Sequence, residues 1–205
     1  VSVVLRYGKQ RYQLLASKSL GNSPSNMQQF VFIYRGEAVN LTGEFQYQRV
    51  QSFVREPFAA QFQSQKTVAK EFVLVAVHTE PQRTVQEIDM LQDVFQEVSA
   101  KFNNQNVMFL GNFYAGCAYL TRADKKNIRL FQNLDFSWLI GDKVDTTVTD
   151  QTSCAYDRIV VHGETLLKSV TPYSAKVFQF NREFKVRRST VLMISDHFPI
   201  EVTLK

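Results

Sequence analysis

Two runs of residues constrain the fold of this chain more than any other feature. Phe30-Val31-Phe32-Ile33-Tyr34 and Phe72-Val73-Leu74-Val75-Ala76-Val77 are β-branched, aromatic and aliphatic throughout, with no polar residue to mark a wet face. Such runs read as strands covered on both sides. Further strands are predicted at Tyr12–Ser17, Ala59–Phe62, Glu71–His78, Val107–Leu110, Arg158–His162, Thr190–Ile194 and Ile200–Leu204. One strong helix follows Thr84, with Val85, Ile88, Leu91, Val94, Phe95 and Val98 at helical spacing. Thr84 and Glu87, three residues apart, predict a capping box at its start. A weaker helix is predicted around Arg122–Gln132. Strands with few helices in this order point to a two-layer α/β sandwich of mixed sheets.

The 205 residues suit a single domain, 1–205, long enough to bury a core. No apolar run approaches the roughly 20 residues of a membrane span. No charged-then-apolar leader opens the chain, so the expectation is that any signal peptide is already gone. The net charge of +5 favours polyanions, and equally describes a basic solvated surface. Two cysteines are too few for a disulfide framework. Cys117 follows a predicted strand and Cys154 precedes another, so both belong near one edge of the domain, as free thiols or as a pair. Asn40-Leu41-Thr42 is a glycosylation sequon.

The last third carries GNFYAGC (111–117), CAYDRIVV (154–161) and SDHFPIEVTLK (195–205). These join Arg55-Glu56-Pro57, Val77-His78-Thr79-x-Pro81, Trp138-Leu139-Ile140-x-Asp142 and Asp145-Thr146-Thr147. In this order and spacing the set resembles the deoxyribonuclease I family, from about Tyr12 to Lys205. The resemblance implies a four-layer α/β sandwich, two packed mixed sheets flanked by helices. It also implies a secreted protein with a Cys117–Cys154 disulfide, Mg²⁺ and Ca²⁺ as cofactors, and DNA as partner. Family members begin with a strand, a helix and a strand that this sequence does not contain. Without those interior strands, unpaired sheet edges and an open core are expected.

Hydrolysing a phosphodiester needs an activated water, charge stabilisation at the phosphoryl oxygens and a proton for the leaving oxygen. By the resemblance, His78 is a phosphate-contacting catalytic histidine, although a histidine at a strand exit is often structural. His197 corresponds to the second catalytic histidine and Asp157 to the carboxylate that orients it. Asp196 corresponds to a metal ligand. His162 matches nothing and reads as structural. Asn112 stands where the family has an aspartate, and Tyr114 where it has a second asparagine. An amide cannot act as a base, and a bulky ring fills a pocket meant for phosphate. The stretch Ser25–Gln29 has no glutamate to partner the first histidine. Arg55 and Tyr156 correspond to DNA-contacting positions, Arg55 being also readable as a surface arginine near Glu56. Asp145 and Thr147 correspond to a structural Ca²⁺ loop, or to an ordinary solvated turn.

Three functions are therefore expected in order. The first is a secreted, catalytically impaired homologue with no tightly held catalytic metal. The second is an active metal-dependent endonuclease, and the third a protein-binding or structural module. His78, Asp157, Asp196 and His197 are expected to converge on one cleft lined by Asn112 and Tyr114.

Overall fold

A computed structural model describes residues 3–7, 10–49 and 52–205, with backbone only at 3–7, 10 and 188. Its centre is a six-stranded mixed sheet in the order β4-β5-β6-β7-β9-β8. The strands are β4 (Asn40–Gln46), β5 (Phe58–Gln63), β6 (Glu71–His78), β7 (Val107–Asn112), β8 (Phe136–Trp138) and β9 (Asp157–His162). Among the described residues only β6 and β7 run parallel, and α1 (Thr84–Phe102) is the crossover between them. The fold is thus the expected sandwich of mixed sheets flanked by helices.

Helix α1 covers one face of this sheet. Ile88, Leu91, Val94 and Val98 are fully buried against Val73, Val75, Val107, Phe109 and Val160. The predicted capping box does not form. Pro81–Arg83 makes a 3-10 turn that carries the helical path upstream, so Thr84 already has helical angles. Its hydroxyl donates instead to the Pro81 carbonyl at 3.0 Å. Glu87 is fully buried and accepts from the Glu80 and Val54 amides at 2.8 and 3.1 Å. It pins the loop after β6 to the loop that carries Arg55.

The opposite face packs against a second layer. One part is the antiparallel sheet of β1 (Val3–Tyr7), β2 (Gln10–Ala16) and β3 (Val31–Arg35); the other is β10 (Lys176–Val177) with β11 (Ile200–Glu201). Phe32, Phe58, Phe62, Phe72, Met108 and Ile159 form the core between the layers. The Glu71–His78 run is covered on both sides as predicted, but the Phe30–Tyr34 run is not. Val31 and Ile33 remain 48% and 58% exposed, so among the described residues no layer covers the outer face of β3. Among the same residues β3 pairs only with β2 and β11 only with β10. Between these two edges lies an apolar groove of about 420 Å³, lined by Phe32, Tyr34, Leu74, Leu110, Ile200 and Leu204.

Short helices complete the chain: α2 (Arg122–Lys125), α3 (Arg129–Gln132), α4 (Glu164–Ser169), α5 (Phe180–Glu183) and α6 (Arg188–Ile194). The weak helix around Arg122–Gln132 is thus two separate turns. Thr190–Ile194, predicted as a strand, lies in α6; its burial follows one helical face, with Val191 buried while Leu192 and Met193 stay exposed. Strands β4 and β8, the edges of the central sheet, went unpredicted because Gly43 interrupts the first and the second is only three residues long.

Cys117 and Cys154 are joined, with Cα atoms 5.8 Å apart and a separation of 37 positions in sequence. The bridge closes a loop whose chain entropy is worth about 4 kcal/mol. Urea unfolding with and without reductant should show a loss of about that size, matched by the Cys117→Ser, Cys154→Ser double variant; unchanged stability would refute the contribution.

Candidate active site

Register alone brings three of the expected residues together. His78 ends β6 opposite Asn112 on β7, and Asn112 lies opposite Asp157 at the start of β9. Gly111 permits this approach: at φ +133° its backbone lies so close to β6 that an added Cβ would meet the Val77 carbonyl at 2.1 Å. His197 arrives from the turn after α6, and its Nδ1 donates to Asp157 Oδ2 at 2.6 Å. Asp196 precedes it and is solvent-exposed. His78, Asp157, Asp196 and His197 thus lie at one end of the central sheet, where His78 feels the charges of the other three. His162 sits at the far end of β9, against Phe95 and Phe136, with Nδ1 bonded to the Gln105 carbonyl.

The two histidines are pushed apart in basicity. Burial, then the Arg55 guanidinium and His197, hold the His78 pKa down at about 4. The Asp157 hydrogen bond raises that of His197. A carboxylate on Nδ1 also leaves Nε2 as the working nitrogen. Environments that push neighbouring titratable groups apart in this way are how one site separates an acid from a base.

Asn112 is committed internally. Its Oδ1 accepts the Tyr114 amide at 2.9 Å, which holds Tyr114 at φ +47°. The Tyr114 ring stacks on His78, with centroids 6.0 Å apart. Tyr156 stacks on His197 at 5.9 Å. Arg55 is not a surface arginine. It is 4% exposed, and its guanidinium donates to the His78 and Thr79 carbonyls and to Glu80. A direct phosphate contact does not suit so buried a group; Arg55 acts on the cleft through His78.

The donors differ in their fit to hard cations. A catalytic Mg²⁺ usually needs one or two carboxylates. Asp157 is engaged with His197, the Asn112 oxygen with Tyr114, and Asp196 stands alone. Among the described residues no three of His, Cys, Asp and Glu gather at metal-ligating spacing. This donor set does not fit a catalytic ion. The Asp145 turn fits a hard cation better. It lines a cavity of about 490 Å³ with Thr147, Thr149, Asp150, Thr152 and Asn181, whose Oδ1 is buried without a hydrogen-bond partner. Asp145 Oδ1 already accepts from Thr147 and from the Cys154 amide.

That turn is also wired to the dyad. Thr147 bridges His197, and the Val148 amide donates to the Asp196 carbonyl. Fully buried Thr146 accepts the Tyr156 and Asp157 amides on its hydroxyl. Sequence reasoning missed Thr146, and it missed Arg158. Arg158 is 1% exposed and donates to the Ala155, Ile140 and Ala115 carbonyls and to Asp142. An arginine opening an apolar strand was the available signal, since a buried guanidinium must find partners.

The depressed His78 pKa has a consequence for stability. An ordinary histidine titrates near 6.5, so between that value and about 4 the folded state binds fewer protons than the unfolded one. The contribution is complete above pH 6.5 and is lost as pH falls through the folded value. Urea midpoints of the protein and of His78→Gln should therefore diverge least at pH 4 and most at pH 7. An identical pH dependence for both would show that His78 is not held neutral.

No protein-family model matches the chain. Deoxyribonuclease gamma of Rattus norvegicus is 41% identical over 199 residues, covering 95% of this chain and 64% of that protein. Deoxyribonuclease-1-like 2 of Mus musculus is 41% identical over 201 residues, covering 98% of this chain and 72% of that protein. The chain thus spans 64% to 72% of the length of these curated relatives. Among solved structures, D. rerio TDP2 complexed with single strand DNA product aligns with a TM-score of 0.65 at 15% identity, over 95% of this chain and 77% of that one. That likeness concerns the fold. Identity of 41% extending over nearly the whole sequence concerns descent, and on it the chain belongs to the deoxyribonuclease I family.

Proposed function

We propose that this chain is part of a secreted DNA-binding protein whose phosphodiesterase chemistry is severely impaired. The observation that carries the reading is the contrast within one cleft. The His197–Asp157 pair is bonded at 2.6 Å, while Asn112, where a carboxylate would assist the water, spends its oxygen on the Tyr114 amide. DNA phosphate is the ligand that two histidines, an oriented carboxylate and a net charge of +5 suit. The family relation points to the same substrate.

The residues divide the chemistry as follows. Asp157 holds the His197 imidazole with Nε2 free to deliver a proton to a leaving oxygen. Neutral His78 accepts a proton or donates one hydrogen bond to a phosphoryl oxygen. Neither group replaces the missing carboxylate, because a neutral amide takes no proton from water. A catalytic divalent ion, if recruited by the whole protein, would lack a second carboxylate from these residues. Secretion accords with the Cys117–Cys154 bridge and with exposed Asn40 on edge strand β4, a site suited to glycan. No helix among the described residues is long and apolar enough to cross a membrane.

Plasmid nicking tests the reading. In Mg²⁺ and Ca²⁺ the natural chain should be orders of magnitude slower than a deoxyribonuclease gamma control. Asn112→Asp combined with Tyr114→Asn should raise its rate by about 10²-fold or more. Control-like cleavage by the natural chain would refute the impairment.

We also propose that Asp145, Thr147 and Asn181 hold a structural Ca²⁺. Its binding would stiffen the turn that supports both members of the dyad. Calcium should raise the melting temperature of the natural protein and not that of Asp145→Ala. An equal rise in both would remove Ca²⁺ from this turn.

A further inference from the structure

Three tyrosines share the cleft, and none belongs to the hydrophobic clusters of the core. Tyr114 contacts Tyr119 and Tyr156 at centroid distances of 5.1 Å each, and Tyr119 contacts Tyr156 at 5.7 Å. Tyr114 stacks on His78 and Tyr156 on His197, so aromatic rings run unbroken from one histidine to the other. Tyr119 is 38% exposed, which leaves the array open to solvent.

The backbone holds this array at a cost. Tyr114 and Cys117 both sit at positive φ, +47° and +52°, a region that non-glycine residues rarely occupy. The surroundings enforce it. Asn112 Oδ1 holds the Tyr114 amide, Phe113 donates to the Tyr156 carbonyl, and Arg158 holds the Ala115 carbonyl. The disulfide then ties the 3-10 turn of Tyr119 (Cys117–Tyr119) to the segment leading into β9. A loop that merely plugged the cleft would need neither two left-handed residues nor an exposed third ring.

We propose that Tyr114, Tyr119 and Tyr156 form a stacking platform for an unpaired nucleobase, so that the cleft takes single-stranded DNA ahead of duplex. The inference rests on the reading that this cleft receives a DNA phosphodiester. Every base offers a π-face, so stacking on tyrosine is tolerant of sequence. In duplex DNA those faces are covered by neighbouring bases, and exposing one costs unstacking and unpairing. The phosphate lies with the histidines and the adjoining base with the rings. Tyr114 thereby supplies a surface for the base.

Fluorescence anisotropy with the 205-residue protein in EDTA tests this without any turnover. The probes are a labelled single-stranded 12-mer, the same strand in duplex, and the same strand with abasic sites. The single strand should bind at least tenfold more tightly than either of the others. Tyr119→Leu, which keeps an apolar side chain but no ring, should weaken single-strand binding by about 5- to 100-fold. Tyr119→Phe should stay within twofold of the natural protein. Duplex or abasic binding as tight as the single strand would overturn the platform, as would full affinity in Tyr119→Leu. Tight duplex binding would leave the phosphodiester reading intact, whereas no binding of any probe would bring down both.

Discussion

The cleft depends on one buried cation. Arg158 sits at the second position of β9, and its guanidinium gathers the carbonyls of Ala155, Ile140 and Ala115 together with Asp142. Burial lowers its pKa, and Asp142 opposes that shift. Trp138 lies over the guanidinium at 5.8 Å. A buried charge is tolerated only when its hydrogen bonds are met, and here three loops must close around it to meet them. Closing them carries Asp157, one residue earlier, to its place opposite Asn112, and draws in the loop that bears Tyr114. The geometry of the site is thus a by-product of satisfying a guanidinium.

A second constraint is charge placed beneath the site rather than in it. Arg55, buried below the exit of β6, helps keep His78 neutral, while Asp157 draws a proton toward His197. The same strand exit is held to α1 by Glu87, whose carboxylate is kept in place by two backbone amides. The asymmetry between the histidines therefore belongs to the scaffold. With an amide rather than a carboxylate at position 112, the site still pairs one imidazole of lowered basicity with one of raised basicity.

Much of this is legible in the sequence. The apolar run of β6 and the helix from Thr84 implied a sandwich of mixed sheets, because period is written directly in sequence, and the resemblance carried by the strings around Asp157 and His197 implied the site. Other features were not. The Thr84–Glu87 pair has the spacing of a capping box, yet Pro81 begins the turn earlier and Glu87 is spent on Val54, a distant residue. Thr190–Ile194 is β-branched enough to suggest a strand, but it lies beside Val148 and Phe180, where only one helical face is buried.

By itself the sequence determined which residues could do chemistry: the two histidines, the aspartate partner, the amide at position 112 and the two cysteines. Tertiary structure alone decided what each had left to offer. Arg55 became an internal charge because four-hundredths of its surface reaches solvent, and Asn112 a brace for Tyr114 because β7 ends in a left-handed turn. Three tyrosines scattered over 43 positions, from 114 to 156, became one surface. Hydrogen-bond capacity and ring contact are properties of neighbours in space, and register, not residue order, chooses the neighbours.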